Sequence, residues 1–105
     1  MDRINFTHNI AQLLVEMFAA GEQPIIDYVL RSAEEQKRLY DKGLSKCDGT
    51  NILSRHQSGR AADVYFIRNG KMADPVAGWE HWHDRWENGY GGQPMIDWDK
   101  GHFEG

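Results

Sequence analysis

Two short stretches of the chain carry the side chains best suited to bind a metal ion and support hydrolysis. The first holds His56 and, seven positions later, Asp63. The second holds Asp99, three positions before His102. Two imidazoles and one carboxylate are a usual ligand set for a catalytic zinc ion, with the fourth position left to water. We therefore predict a zinc site formed by His56, Asp63 and His102.

Asp99 is a further carboxylate that the second stretch would bring close to these ligands. A carboxylate beside a catalytic metal can take a proton from water and pass it on, so Asp99 is a candidate general base. Asp97, two positions earlier, is a rival for the same role.

The residues around His56 predict a loop that leads into a buried strand. Gly59 and the small residues Ala61 and Ala62 allow a tight turn and close packing. The run at residues 64–67, Val-Tyr-Phe-Ile, is typical of a β-strand, and we expect Asp63 to be its first residue. An unpaired charge entering an apolar strand is costly, and a metal ion would be a suitable partner for it.

These two motifs resemble those of the zinc D-Ala-D-Ala metallopeptidases. The first is Ser-Arg-His-Gln-Ser-Gly-Arg-Ala-Ala-Asp at residues 54–63, and the second is Asp-Lys-Gly-His at residues 99–102. The family includes D-Ala-D-Ala carboxypeptidases, vancomycin-resistance dipeptidases and phage L-alanyl-D-glutamate endolysins. Residues 30–36 are similar to the family's arginine segment before a helix, and the resemblance spans about residues 25–104.

The resemblance implies roles for several residues outside the ligand set. Asp99, rather than Asp97, has the family's spacing for the base. Arg31 would bind the substrate carbonyl or carboxylate and stabilise the oxyanion. The alternative is that Arg31 only forms a surface salt bridge. Ser54 would help to hold substrate or would only form a turn. Gln36 would contact substrate or remain a solvated helix residue.

The activity implied by the resemblance is zinc-dependent hydrolysis of peptidoglycan stem peptides. The form we expect is a phage endolysin that cleaves the L-alanyl-D-glutamate bond. The alternatives are a D-Ala-D-Ala carboxypeptidase or dipeptidase, and a non-catalytic zinc-holding binding module like the hedgehog relatives of this fold. Asp99 argues against the last alternative, because a purely structural site has no use for a base. The family often has proline before its second histidine, whereas this chain has Gly101.

Composition and length set broader limits on the protein. With 105 residues we expect one domain, and with 40% hydrophobic residues and a net charge of −4 we expect no nucleic-acid partner. The single cysteine, Cys47, excludes an intrachain disulfide. We find no signal-peptide pattern and no apolar run of membrane-spanning length. Together with these absences, the resemblance to phage endolysins implies a protein that is made in the cytoplasm and reaches the cell wall by holin-type release, and we expect a monomer.

The first half of the chain predicts a helix, a strand and a second helix. The first helix would be capped by Asn5 or Thr7 and closed by Gly21. Its apolar face would comprise Ile10, Leu13, Leu14, Met17 and Phe18. A strand at residues 25–30 would precede a second helix, with Ser32 and Glu35 as its capping box and Gly43 as its end.

The second half predicts a hairpin, a third helix and a final strand. Asn69-Gly70 is a two-residue hairpin signal followed by a short strand at residues 71–73. Asp74 would cap the third helix at Pro75, and Asn88-Gly89 would end it. The helix would place a stripe of tryptophans in the core: Trp79, Trp82 and Trp86.

The last strand, residues 101–104, would place His102 and Glu104 on one face and Phe103 in the core. Glu104 could then orient His102. His81 and His83 point in different directions on a helix, so they cannot share one site, and His83 would either pack in the core or line the cleft. The fold class we predict is α+β, with three helices around a small antiparallel sheet that carries the zinc on one face.

Overall fold

The structure, a computed structural model, describes residues 1–27, 33–43 and 59–105. It confirms the predicted α+β class, with helices beside a small antiparallel sheet. No helix in these ranges is long and apolar enough to cross a membrane. The elements in chain order are α1 Arg3–Ala19, β1 Pro24–Ile26, α2 Ala33–Asp41, β2 Ala61–Arg68, β3 Lys71–Ala73, α3 Trp79–Asp84, a π-helical turn Arg85–Gly89, and β4 His102–Glu104.

Strand β2 is the centre of the sheet, because the other three described strands all pair with it. Each pairing is antiparallel. The strand begins at Ala61, so the expectation that Asp63 is its first residue is wrong by two positions. The middle pairs of the three ladders are Ile25 with Tyr65, Ile67 with Met72, and Ala62 with Phe103.

The hairpin between β2 and β3 forms where the sequence predicts it. Asn69 and Gly70 have φ angles of 55° and 76°. Positive φ at both central residues is what a type I′ turn requires, and this turn matches the twist of its flanking strands. The hairpin thereby sets the register between β2 and β3.

Strand β1 comprises Pro24–Ile26, and residues 28–30 of the predicted strand lie outside the described residues. The Asp27 N–H still donates to the Asp63 carbonyl at 2.8 Å, so the chain stays beside β2 for one more residue. Arg31 and Ser32 lie outside the described residues. Helix α2 ends at Asp41 and is followed by Gly43 at a φ of 73°, close to the predicted stop.

Helix α1 begins earlier than predicted. Asp2 is its N-cap and accepts a 2.7 Å hydrogen bond from the Asn5 N–H, so the expectation that Asn5 or Thr7 is the cap is wrong. Aspartate is an equally good cap, and the earlier start adds one helical turn that carries Phe6 into the core. Gly21 follows the helix at a φ of 88°, as expected for a residue just beyond the C-cap.

The core lies between α1, the inner face of the sheet and the α3 segment. Phe6 meets Trp86 edge-on at 5.6 Å, and Trp86 meets Phe103 edge-on at 6.2 Å. The prediction that Phe18 belongs to the packed face of α1 is wrong, because 59% of its surface is exposed. The buried cluster comprises Phe6, Ile10, Leu13, Met17, Ala62, Val64, Phe66, Trp82, Trp86 and Phe103.

The third helix starts at Trp79 and not at Pro75, which corrects the predicted cap. Gly78, with a φ of 92°, occupies the N-cap position. The Asp74 carboxylate instead accepts a 2.9 Å hydrogen bond from the Trp79 indole N–H. The predicted tryptophan stripe is confirmed, with Trp82 and Trp86 buried and Trp79 packed against the cluster.

A buried carboxylate that the sequence did not reveal connects the end of α1 to α3. Glu22 is only 5% exposed. Its oxygens accept hydrogen bonds from the Val76 N–H at 2.8 Å, the Ala77 N–H at 3.1 Å and the Trp82 indole N–H at 2.8 Å. Burial alone would raise the pKa of Glu22, but these donors outweigh it and hold the pKa below its usual value.

Candidate metal centre

The centre of the candidate site is a pair of side chains that face each other across two strands. Asp63 of β2 is the register partner of His102, the first residue of β4. Directly opposed residues of an antiparallel pair project from the same face of the sheet. His102 Nδ1 lies 3.5 Å from Asp63 Oδ1, and Asp63 is 8% exposed.

Asp99 joins this pair from the turn that precedes β4. The Asp99 N–H donates to the Ile96 carbonyl, and the His102 N–H donates to the Asp99 carbonyl, each at 3.0 Å. The turn brings an Asp99 carboxylate oxygen to the other two side chains. Potential ligand atoms of Asp63, Asp99 and His102 all lie within 4.8 Å of one another, and this is the one such group in residues 1–27, 33–43 and 59–105.

Gly101 allows the turn to lie directly against β2. Its carbonyl accepts a 2.8 Å hydrogen bond from the Val64 N–H. A β-carbon at this position would lie 2.8 Å from the Val64 carbonyl oxygen, which is closer than side-chain carbons are found. The glycine therefore permits the close approach that places Asp99 and His102 beside Asp63.

The second ring nitrogen of His102 faces Glu104. His102 Nε2 lies 3.7 Å from Glu104 Oε2, and both residues are on the site face while Phe103 between them is fully buried. The predicted alternation along β4 is therefore confirmed. The arrangement leaves Nδ1 toward Asp63 and Nε2 toward a carboxylate that can orient the ring, as outer partners of metal-bound histidines do.

The surrounding carboxylates change how readily His102 takes up a proton. Burial alone would lower the pKa of His102, but Asp63, Glu104 and Asp99 stabilise the charged ring and leave the pKa above its usual value. The same negative groups favour a bound cation.

The donor set could hold a divalent metal ion. One imidazole nitrogen and two carboxylate oxygens are all accepted zinc ligands. Two ligands at tetrahedral zinc distances lie ~3.3 Å apart, and the His102-to-Asp63 separation of 3.5 Å is close to that value. Asp63, Asp99 and His102 could therefore hold a metal ion between them.

No protein-family model matches the chain, and no curated protein matches it.

The structure brings together three of the residues named from the sequence: Asp63, Asp99 and His102. The predicted ligand His56 and the predicted substrate residues Arg31 and Ser54 lie outside the described residues, as does Cys47. Gln36 is in α2, and its side chain is not among those described. Asp97, the rival base, is exposed and is not a member of the group.

His83 is the residue near the site whose role the sequence left open. It is 3% exposed, and its ring stacks on Phe103 with a centroid distance of 4.0 Å and an interplanar angle of 4°. Its Nε2–H donates to the Lys100 carbonyl at 2.6 Å. Burial lowers the pKa of His83 below its usual value, against the opposing effect of the hydrogen bond to the Lys100 carbonyl. The spacing of four residues from Trp79 is the sequence signal that places it on the packed side.

Proposed function

We propose that this chain is a zinc metallopeptidase that hydrolyses the stem peptides of bacterial peptidoglycan. The observation that carries the proposal is the convergence of Asp63, Asp99 and His102, which come from two separate motifs of the chain. The resemblance of those motifs to the D-Ala-D-Ala metallopeptidases supplies the substrate class.

Each converging residue has a distinct role in this proposal. Asp63 and His102 hold the metal ion, and His56 is the third ligand by motif. Glu104 keeps the His102 ring oriented through Nε2. A zinc ion held there supplies Lewis acidity, which polarises a scissile carbonyl and makes water a stronger acid.

Asp99 is the general base in this proposal. Its backbone is held by the turn before β4, while its side chain is half-buried and lies close to Asp63 and His102. The carboxylate accepts a proton from the attacking water as its oxygen bonds to the carbonyl carbon. The proton then passes to the amine nitrogen as the C–N bond breaks. Arg31 stabilises the negative oxygen of the tetrahedral intermediate.

The bond that we propose is the L-alanyl-D-glutamate bond, as in phage endolysins of the resembling family. The protein would act on the cell wall after holin-type release and would work as a monomer. Its substrate is then a cross-linked or free stem peptide. The substrate-binding surface must accept an L-residue on one side of the bond and a D-residue on the other.

The test is mass spectrometry of a defined muropeptide after incubation with purified protein loaded with zinc. Release of the peptide that begins with D-glutamate is the expected result, and it should disappear after chelation and in Asp63→Asn. The control is Asp97→Asn, which removes an exposed carboxylate from the same region and should leave hydrolysis intact.

Two other outcomes would contradict this assignment in different ways. Loss of only the terminal D-alanine would identify a carboxypeptidase. Tight zinc binding without any cleavage of peptidoglycan or muropeptide would identify a zinc-holding binding module.

A further inference from the structure

We infer that His83 is a positioning residue that fixes the turn carrying Asp99 and His102. The inference rests on the metal centre proposed above, and it adds to that centre a residue from α3 that is not a member of the group of candidate ligands. It gives a role to a buried histidine that has none in the proposed mechanism.

The ring of His83 contacts the chain on both sides of His102. On one side its Nε2–H donates to the Lys100 carbonyl at 2.6 Å. On the other side it stacks on Phe103 at 4.0 Å. Lys100 and Phe103 flank the segment that ends at the metal ligand, so a rigid ring held in α3 constrains the backbone at both ends of that segment.

The hydrogen-bond pattern indicates that histidine is present for the bond to Lys100 and not for packing alone. Because a carbonyl can only accept, Nε2 carries the hydrogen and Nδ1 is left as an acceptor. Nδ1 is buried and has no hydrogen-bond partner among the described residues. An unpaired buried acceptor costs stability, and a phenylalanine could stack on Phe103 without that cost. What histidine adds is the donor to the Lys100 carbonyl.

The hydrogen bond from His83 to Lys100 holds the turn in a way that the turn's other backbone hydrogen bonds among the described residues do not. The bonds from Asp99 N–H to Ile96 and from His102 N–H to Asp99 are internal to the segment. The bond between Val64 and Gly101 ties the segment to β2. His83 ties it to α3 on the core side, so the turn is held from two elements that are far apart in sequence.

The experiment compares His83→Phe, which keeps the stacked ring without the donor, with His83→Gln, whose amide can donate at a similar reach. His83→Met is a second donor-free variant should His83→Phe not fold. His81→Gln is the matched control, because His81 is an exposed histidine of the same helix that packs edge-on against Trp82. Zinc affinity is measured by competition with a chromophoric chelator, and amide hydrogen exchange is measured on the metal-free protein.

The expected result is that the donor-free variant weakens zinc binding about 10–100-fold, as loss of a partner outside the ligand set usually does. It should also speed exchange of the His102 amide while amides in α1 stay protected. His83→Gln should restore both properties, and His81→Gln should change neither. Unchanged exchange at His102 in a folded donor-free variant would overturn the inference. Neither measurement uses hydrolysis, so a failure of the proposed peptidase activity is seen separately.

Discussion

Glu22 offers a stringent test of how α3 is held in place. The carboxylate accepts three hydrogen bonds, two from backbone N–H groups of Val76 and Ala77 and one from the Trp82 indole. Glu22→Gln keeps the shape of the side chain but leaves one oxygen where there were two. That oxygen can accept from at most two of the three donors, and the new amide group then faces the third.

The magnitude of the loss follows from which donors can find water. Val76 and Ala77 are exposed, so their N–H groups can be hydrated in the variant. Trp82 is 2% exposed and shares one Glu22 oxygen with Ala77, so the glutamine oxygen keeps these two donors and the amide faces the Val76 N–H. The loss is then the Val76 bond and the charge assistance of the remaining bonds, since a hydrogen bond to a charged group is worth about 1.5–3 kcal/mol against about 1 kcal/mol for a neutral one. We expect Glu22→Gln to lower the free energy of unfolding by about 1–3 kcal/mol, which corresponds to roughly 4–8 °C in Tm for each kcal/mol.

Urea unfolding at pH 7, followed by tryptophan fluorescence, measures this loss. The control is Glu80→Gln, which makes the same change at an exposed site on α3 and should stay within about 0.5 kcal/mol of wild type. Because the folded-state pKa of Glu22 lies below its usual value, its contribution is present above the unfolded pKa and is lost as pH falls through the folded pKa. Equal stabilities of Glu22→Gln and Glu80→Gln would refute this account of the contact.

Three further predictions concern the site. Asp99→Asn should retain zinc and lose hydrolysis about 10²–10⁴-fold, as measured by elemental analysis and muropeptide kinetics; loss of zinc would make Asp99 a ligand instead. Arg31→Lys should lower kcat by the equivalent of about 3–4 kcal/mol with stability changed by less than about 1 kcal/mol, and wild-type turnover would remove Arg31 from the site. In the presence of a chelator, protonated His102 should stabilise the fold, because its folded-state pKa is raised. This stabilisation should be complete below the unfolded pKa of ~6.5 and should fade as pH rises through the folded pKa. Urea midpoints from pH 6 to 8 would test this, and Asp63→Asn should flatten the dependence.

The sequence by itself determined the features that depend on neighbouring residues. The Asn69-Gly70 hairpin follows from the demand for positive φ, and the alternation along β4 follows from the two-residue period of a strand. The candidate ligands Asp63 and His102 were likewise recognisable, because metal-binding side chains at motif spacing are a local signal.

The tertiary structure decided the features that depend on distant partners. Only the antiparallel register of β2 and β4 places Asp63 opposite His102. Only the packing of α3 sets His83 against a carbonyl 17 residues away. Glu22 shows the same limit, since its indole donor lies 60 residues further along the chain. A buried polar residue is stabilised by whichever donors the fold brings to it, and their identity is not encoded in the residues beside it.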